Sequence, residues 1–321
     1  MQPNITVVIP LYNKQDSIIR AVDSVLNQTI SAQQLIIVDD GSTDSSVAKV
    51  VGRIAYYQGL GAATRIKLVS QANGGVALAR NMGVENVSTS HVALLDADDT
   101  YQQGFIETIT FLIKTYREAS VFITGYQFLC KGEMPRVANW AMNFKKSEHG
   151  LLEDFFGLAA KGDLPITASS ICMETNVLKK VGGFPLGQQM GEDQWVWALL
   201  ALRSNIAYSS TVQSNYYLGA ENSLMETVPP RKELPYSAML QDLLDHRLRR
   251  DSRGPSVRAF IRTHLYDLVR RNFLFGNIQV SYDVLQDERL PWWRLRSVYW
   301  GYRICFSKST FSRKRTSNIN E

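Results

Sequence analysis

Short β-branched runs alternate with helical stripes along the first 130 residues. Residues 5–9 are an apolar run closed by Pro10. In 16–27, Ile18, Ile19, Val22, Val25 and Leu26 recur at helical spacing and predict one buried face. Residues 35–38, 66–69 and 92–95 read as further buried strands, and 76–87 and 105–117 as helices. Ser42 or Thr43 is the expected N-cap of the helix after the second strand. This alternation predicts an α/β fold with a doubly wound, mostly parallel sheet. Right-handed crossovers then bring the strand C-termini to one edge, where ligands of such sheets bind.

After a strand at 120–128 the rhythm weakens. Residues 130–165 carry scattered glycines and prolines without a clean period. Residues 166–173 read as a strand, 194–202 as a helix and 211–218 as an edge strand. Composition shifts near Pro229 and Pro230, and 236–250 and 257–275 read as amphipathic helices. The expected organisation is one α/β domain over 1–228 and a helical, basic C-terminal extension over 229–321.

Composition narrows the function classes. The 321 residues are 45% hydrophobic, enough for one sizeable core. No run of apolar residues is long enough for a transmembrane helix, and "MQPNITVVIP" reads as a first strand rather than a signal peptide. Cys130, Cys172 and Cys305 are far apart and form no CxxC pair, which argues against zinc and disulfide frameworks and suits a reducing cytosol. The net charge of +5 is unevenly placed. Residues 289–321 hold eight Lys and Arg against one acid, and the rest holds 27 against 29. That tail mixes aromatics with arginines, which suits an interfacial helix on an anionic membrane surface. The bland alternative is a helical appendage with solvated charges. No nucleic-acid-binding module matches it.

The acids cluster at strand ends. Asp39 and Asp40 follow "LIIV", and Asp96, Asp98 and Asp99 follow "VALL". In one parallel sheet these carboxylates share the ligand crevice. "QANGGVALARN" follows the third strand. Gly74 and Gly75 allow close backbone approach, the helix start behind them favours an anion, and Arg80 adds a positive fork. Acids for a metal, glycines and an arginine together suggest a nucleotide diphosphate.

With these stretches in view, the chain resembles a family 2 glycosyltransferase of the GT-A fold. The matching stretches are "TVVIPLYNK", "IIVDDGSTDSS", "QANGGVALARNMGV", "LLDADD", "GGF" and "GED", in family order over roughly 4–220. The resemblance implies a metal-dependent, inverting transfer from a nucleotide sugar, with a UDP-sugar the expected donor, in bacterial surface-polysaccharide assembly. It implies that Pro10 and Tyr12 pack around the base, that Asp39 or Asp40 binds base or ribose, and that Asn73, Gly74 and Arg80 line the donor site. Asp96-Ala97-Asp98 matches the DxD motif, with Asp98 as ligand to Mg²⁺ or Mn²⁺, Asp96 near ribose or sugar and Asp99 in support. Asp193 matches the catalytic base. Glu192 is the alternative, and Trp195 or Trp197 offers a stacking floor for the acceptor, a glycan or lipid-linked hydroxyl. The expected location is cytoplasmic and peripheral on the inner face of the cell membrane.

Two departures stand out. The arginine-leucine pair often found after "ED" is replaced by "QWVWALLALR", whose nearest arginine is Arg203, and Lys14-Gln15-Asp16 stands where Glu is common. The competing readings are a sugar-phosphate nucleotidyltransferase, for which "PLYNKQD" lacks the glycine-rich loop, and a non-catalytic nucleotide-sugar-binding protein, against which the intact DxD and "GED" argue.

Overall fold

The computed structural model describes residues 4–144, 148–188, 190–219, 232–248 and 251–290. The first half alternates as β1 (Ile5–Leu11), α1 (Ile18–Leu26), β2 (Gln34–Asp39), α2 (Ser46–Gly59), β3 (Arg65–Ser70), α3 (Val76–Glu85) and β4 (His91–Leu94). Then come β5 (Thr100–Tyr101), α4 (Phe105–Thr115), β6 (Val121–Leu129), β7 (Arg136–Val137), α5 (Asn139–Met142), β8 (His149–Leu151) and α6 (Phe155–Ala159). A 3₁₀ turn at Ala168–Ser170 leads into β9 (Ile171–Glu174), α7 (Thr175–Lys180), α8 (Glu192–Arg203) and β10 (Ile206–Tyr217). Three helices follow: α9 (Pro235–His246), α10 (Gly254–Leu274) and α11 (Ile278–Leu285).

The sheet runs β3-β2-β1-β4-β9-β6-β10-β5. Its long ladders are parallel: β1 with β2 and β4, β2 with β3, and β6 with β10. Every residue of β1 and β2 is buried, as expected of strands covered by helices on both faces. Helix α1 turns Ile18, Ala21, Val22 and Val25 inward onto a core that also holds Leu35, Ile37, Phe105, Ile109 and Phe122.

Three features differ from the sequence reading. The strand expected over 166–173 starts only at Ile171, because Ser170 Oγ accepts from Thr167 N at 2.9 Å and Ser170 N donates to Thr167 O at 3.1 Å, which closes a 3₁₀ turn. It runs antiparallel, wedged between β4 and β6. The edge strand expected at 211–218 starts at Ile206 and lies inside the sheet, between β6 and the short β5 and β8. Its buried Ser214 and Asn215 gave it an edge-like look, yet Asn215 bonds Gln102, Gln127 and Thr100. Helix α2 is not capped by Ser42 or Thr43. Those residues form the turn before it, and Asp44 Oδ1 accepts from the first helical amide, Ser46 N, at 2.9 Å.

Contacts divide the chain into two units. One comprises 1–227 with 234–261, and the other 228–233 with 262–321. In the first, α9 packs on α8, and Tyr236 and Phe260 join Phe155 and Phe156 in an aromatic cluster. In the second, Arg289 grips Glu233 at 2.7 and 2.6 Å, and Ser281 Oγ donates to Val269 O. Among the described residues no helix is long and apolar enough to cross a membrane.

Candidate active site

The parallel ladders deliver the acids to one edge. Asp39 ends β2 opposite Leu11 of β1 and Ser70 of β3. Asp40, the next residue, is buried and fully engaged. Its Oδ1 accepts from Gln71 Nε2 at 2.7 Å and Gly74 N at 2.8 Å, and its Oδ2 from Gly75 N at 2.8 Å. The anion held at the start of α3 is therefore the chain's own carboxylate. Asn73 reinforces the turn by donating Nδ2 to Asp40 O. Gly75 has φ 89° and ψ 164°, a region essentially closed to other residues. Among the described residues the Asp39 carboxylate accepts only from Ser42 N, at 3.0 Å through Oδ1.

On the other side of Asp39, Pro10 lies inside β1, while Tyr12 is 46% exposed at the mouth of the loop. Asn13 takes a positive φ of 50°, which places its Oδ1 to accept from Thr43 N and Asp44 N. Lys14 N donates to Ser46 Oγ, so the loop is tied to the start of α2.

The three acids after β4 have three different partners. Arg80, buried, donates through Nη2 to Asp96 Oδ1 at 2.9 Å. Lys14 Nζ lies 2.6 Å from Asp98 Oδ2. Asp99 is buried and accepts from Ser169 Oγ at 2.5 Å and from Tyr217 N at 3.1 Å. Burial and the neighbouring Asp96 and Asp98 charges raise its carboxyl well above the usual range. Ser169 Oγ also accepts from Asp96 N, so one hydroxyl stitches two of the acids together. Arg20 completes the turn by donating Nη2 to Asp98 O at 2.6 Å, with its guanidinium 3.8 Å from the centre of the Tyr217 ring.

Arg80 links this turn to the second acid pair. Its Nη1 donates to Glu192 Oε1 at 2.9 Å. Glu192 and Asp193 form the first turn of α8, where the helix dipole favours negative charge. Gly191 sets that turn: its φ is 83°, and a Cβ there would meet Tyr236 Cδ1 at 2.8 Å. Burial, then the Glu192 charge, pushes Asp193 up to about 6, although Arg80 pulls the other way. Arg80 itself, flanked by Asp96, Asp193 and Glu192, is raised in spite of its burial.

The expected residues thus collect at one crevice, with clear differences in setting. Trp197 is buried with its ring against Phe184 and belongs to the core, whereas Trp195 is half-buried. Arg203 lines a cavity of about 530 Å³ with Lys180 and Glu118, at the opposite ends of the strands. A recess of about 280 Å³ does adjoin the Asp98 turn, lined by Arg20, Tyr217 and Lys131. Among the described residues no three His, Cys, Asp or Glu side chains are arranged to hold a metal ion. Lys14, Arg20 and Ser169 carry site contacts that sequence reasoning did not assign. Only the polar run Thr167–Ser170 inside an expected strand, and Lys14 in place of Glu, offered a signal.

The fold thus carries paired acids past the strand ends of a mostly parallel sheet, and a second acid pair at the start of α8, joined to them through Arg80. Residues 6–159 match the family model described as glycosyl transferase family 2, and that segment is a domain of this family. The chain is 32% identical over 124 residues to the glycosyltransferase GlyA of Streptococcus pneumoniae, covering 38% of this chain and 16% of GlyA. It is 30% identical over 138 residues to the minor teichoic acid biosynthesis protein GgaA of Bacillus subtilis, covering 41% and 26%. These relatives are matched over only a fraction of their own length. The fold is similar to that of S. aureus TarS 1–349 in complex with UDP-GlcNAc, with a TM-score of 0.67 at 16% identity over 92% of this chain and 83% of that one.

Proposed function

We propose that the protein transfers a sugar from a nucleotide diphosphate sugar, by preference a UDP-sugar, to a hydroxyl of a glycan or lipid-linked acceptor, with inversion. The observation that carries this reading is the bridge through Arg80 between Asp96 and the Glu192-Asp193 turn. It sets a donor-side acid and a base candidate on either side of one guanidinium. Asp193 at about 6 is ionised at pH 7 yet more basic than an ordinary carboxylate. That suits removing the acceptor proton as the hydroxyl attacks the anomeric carbon and the bond to the diphosphate breaks. Glu192, neutralised by Arg80, is the weaker candidate.

Within the donor half, Asp39 is the better contact for base or ribose, because Asp40 is committed to the glycine turn. Tyr12, Asn73 and Gly74 are exposed around it. Arg80 acts as a clamp on Asp96 and Glu192 rather than as a phosphate fork, since both of its terminal nitrogens are engaged. The donor set suits a hard divalent cation, Mg²⁺ or Mn²⁺. Asp98 and Asp96 offer half-exposed carboxylates, and such ions take one or two of these with substrate phosphates completing the set. When bound, the ion neutralises charge on the leaving diphosphate.

A thermal-shift panel of nucleotide sugars with and without Mn²⁺ tests the class and the donor together, because a ligand of the folded state raises Tm. UDP-sugars with Mn²⁺ are expected to give the largest rise. A flat panel from folded protein would overturn the reading. The sequence 289–321, nearly all of it outside the described residues, is proposed to hold the protein on an anionic, inner-face membrane surface. Vesicle cosedimentation should drop when 291–321 is deleted, and equal cosedimentation would refute that role.

A further inference from the structure

We propose that the recess beside the Asp98 turn is an oxyanion subsite, in which Arg20 and Lys131 take a phosphodiester or carboxylate carried by the acceptor. The enzyme thereby selects an anionic glycan over a neutral one. The inference rests on the reading of the chain as a transferase whose donor sits at the Asp98 turn.

Three observations carry it. First, the recess is electropositive. It holds about 280 Å³, and its described lining includes Arg20 and Lys131 and no acid. Arg20 is half-buried, and its Nε and Nη1 have no hydrogen-bond partner among the described residues. Lys131 is exposed, and among the described residues neither cation forms an ion pair. A concave site lined by one sign of charge concentrates ions of the other.

Second, Arg20 is set in place and keeps donors to spare. Its Nη2 donates to Asp98 O at 2.6 Å, and its guanidinium lies 3.8 Å from the centre of the Tyr217 ring. That clasp uses one of the five N–H groups of a guanidinium. Tyr217 is itself held, with its N donating to Asp99 Oδ1 at 3.1 Å and its strand paired to Leu129. A guanidinium stacked on a ring presents a planar fork that matches two oxygens of a carboxylate or phosphate. Lys131 stands in the turn after β6, closed by Glu133 N donating to Cys130 O at 3.1 Å, with Gly132 at φ 83°.

Third, the recess lies on the acceptor's side. Strand β9 runs antiparallel to both β4 and β6, so β4, β6 and β10 end at one edge. Along that edge the proposed nucleotide contacts Asp39 and Asn73 follow β2 and β3, Asp98 follows β4, and the recess follows β6 and β10. The Asp98 turn therefore separates it from the nucleotide half. In an inverting displacement the acceptor hydroxyl enters opposite the leaving diphosphate, so the rest of the acceptor lies away from the nucleotide.

The test uses the full chain with UDP and Mg²⁺ and reads binding by saturation-transfer NMR. Glycerophosphoglycerol and glucuronic acid are the anionic probes, and glycerol and glucose the neutral ones. Both anions should bind and the neutral pair should not. Lys131→Gln and Arg20→Gln should each weaken anion binding by about tenfold, the scale of one charge-assisted hydrogen bond. Lys131→Arg keeps the charge and should bind the anions as the native chain does. Should Arg20→Gln fail to fold, Lys131→Gln, in an exposed turn, carries the test. Anions that bind no better than the neutral probes, or equally well to Lys131→Gln, overturn the subsite. Two further arms locate the source of the oxyanion. If Lys131→Gln weakens UDP as much as it weakens the anions, the cations serve the donor diphosphate and the acceptor assignment is wrong. It is equally wrong if UDP-glucuronate outbinds UDP-glucose on the native chain and loses that advantage in Lys131→Gln. Calorimetry of UDP with Mg²⁺ on the native chain decides the donor reading by itself, so its failure and that of the subsite are read apart.

Discussion

Asp40 and Asp98 stand at comparable places, each just past a buried strand of the same sheet, and they are held in opposite ways. Asp40 is closed in by three donors, two of them backbone amides of the glycine turn. Among the described residues the Asp98 carboxylate has one contact, the ammonium of the Lys14 side chain. A carboxylate bonded to fixed backbone donors cannot let go without breaking the local fold, so it serves as a pin. One held by a single flexible side chain can be handed to a ligand at little structural expense. The difference lies in who supplies the donors, not in the acid.

Asp193 belongs with Asp98 in this contrast, since among the described residues its carboxylate accepts only from Gln194 N in its own helical turn. Replacing it should therefore spare the fold and remove the chemistry. Asp193→Asn is expected to keep nucleotide binding and lose transfer by about 10²-fold or more, the scale of a missing general base. Single-turnover kinetics with saturating donor would check it, and near-native turnover would move the base elsewhere, with Glu192 next in line.

The pin and the handed-over acid can be told apart directly. Asp40→Ala leaves the Gln71 side chain and the Gly74 and Gly75 amides without their acceptor and should destabilise the protein by about 2–4 kcal/mol. Asp98→Ala breaks one partly exposed ion pair and should change stability by about 1 kcal/mol, while abolishing metal-dependent UDP binding. Urea unfolding and calorimetry on both variants measure the four quantities. Equal loss of stability in the two would erase the distinction.

The sequence made the first hundred residues readable because each strand is followed at once by the helix that covers it, so period and burial agree. It placed the acids at one edge for the same reason. The direction of β9 was not legible, since Ile171, Cys172 and Met173 are all buried and look alike run either way. The start of β10 was hidden by Ser209 and Ser210, polar residues that are nonetheless buried in the sheet. Sequence neighbours also concealed the division of labour among Asp96, Asp98 and Asp99. Their partners Arg80, Lys14 and Ser169 come from three distant segments, and only the folded chain assembles them.

A further test separates the two settings through pH. Asp193 is raised from 3.8 to about 6, so between those values the folded chain keeps a proton there that the unfolded chain has released. Stability from this group is therefore full below about pH 4 and is lost as pH rises through about 6. Asp193→Asn cannot titrate and lacks this decline. The variant should gain stability relative to the native protein as pH rises from 4 to 7, by up to about 3 kcal/mol. Asp99, also raised by burial, titrates in both proteins and cancels in the difference. Thermal or urea unfolding at several pH values tests it. A native-minus-variant difference that stays flat across this window would mean that Asp193 sits as openly as a surface carboxylate and is not tuned for base chemistry.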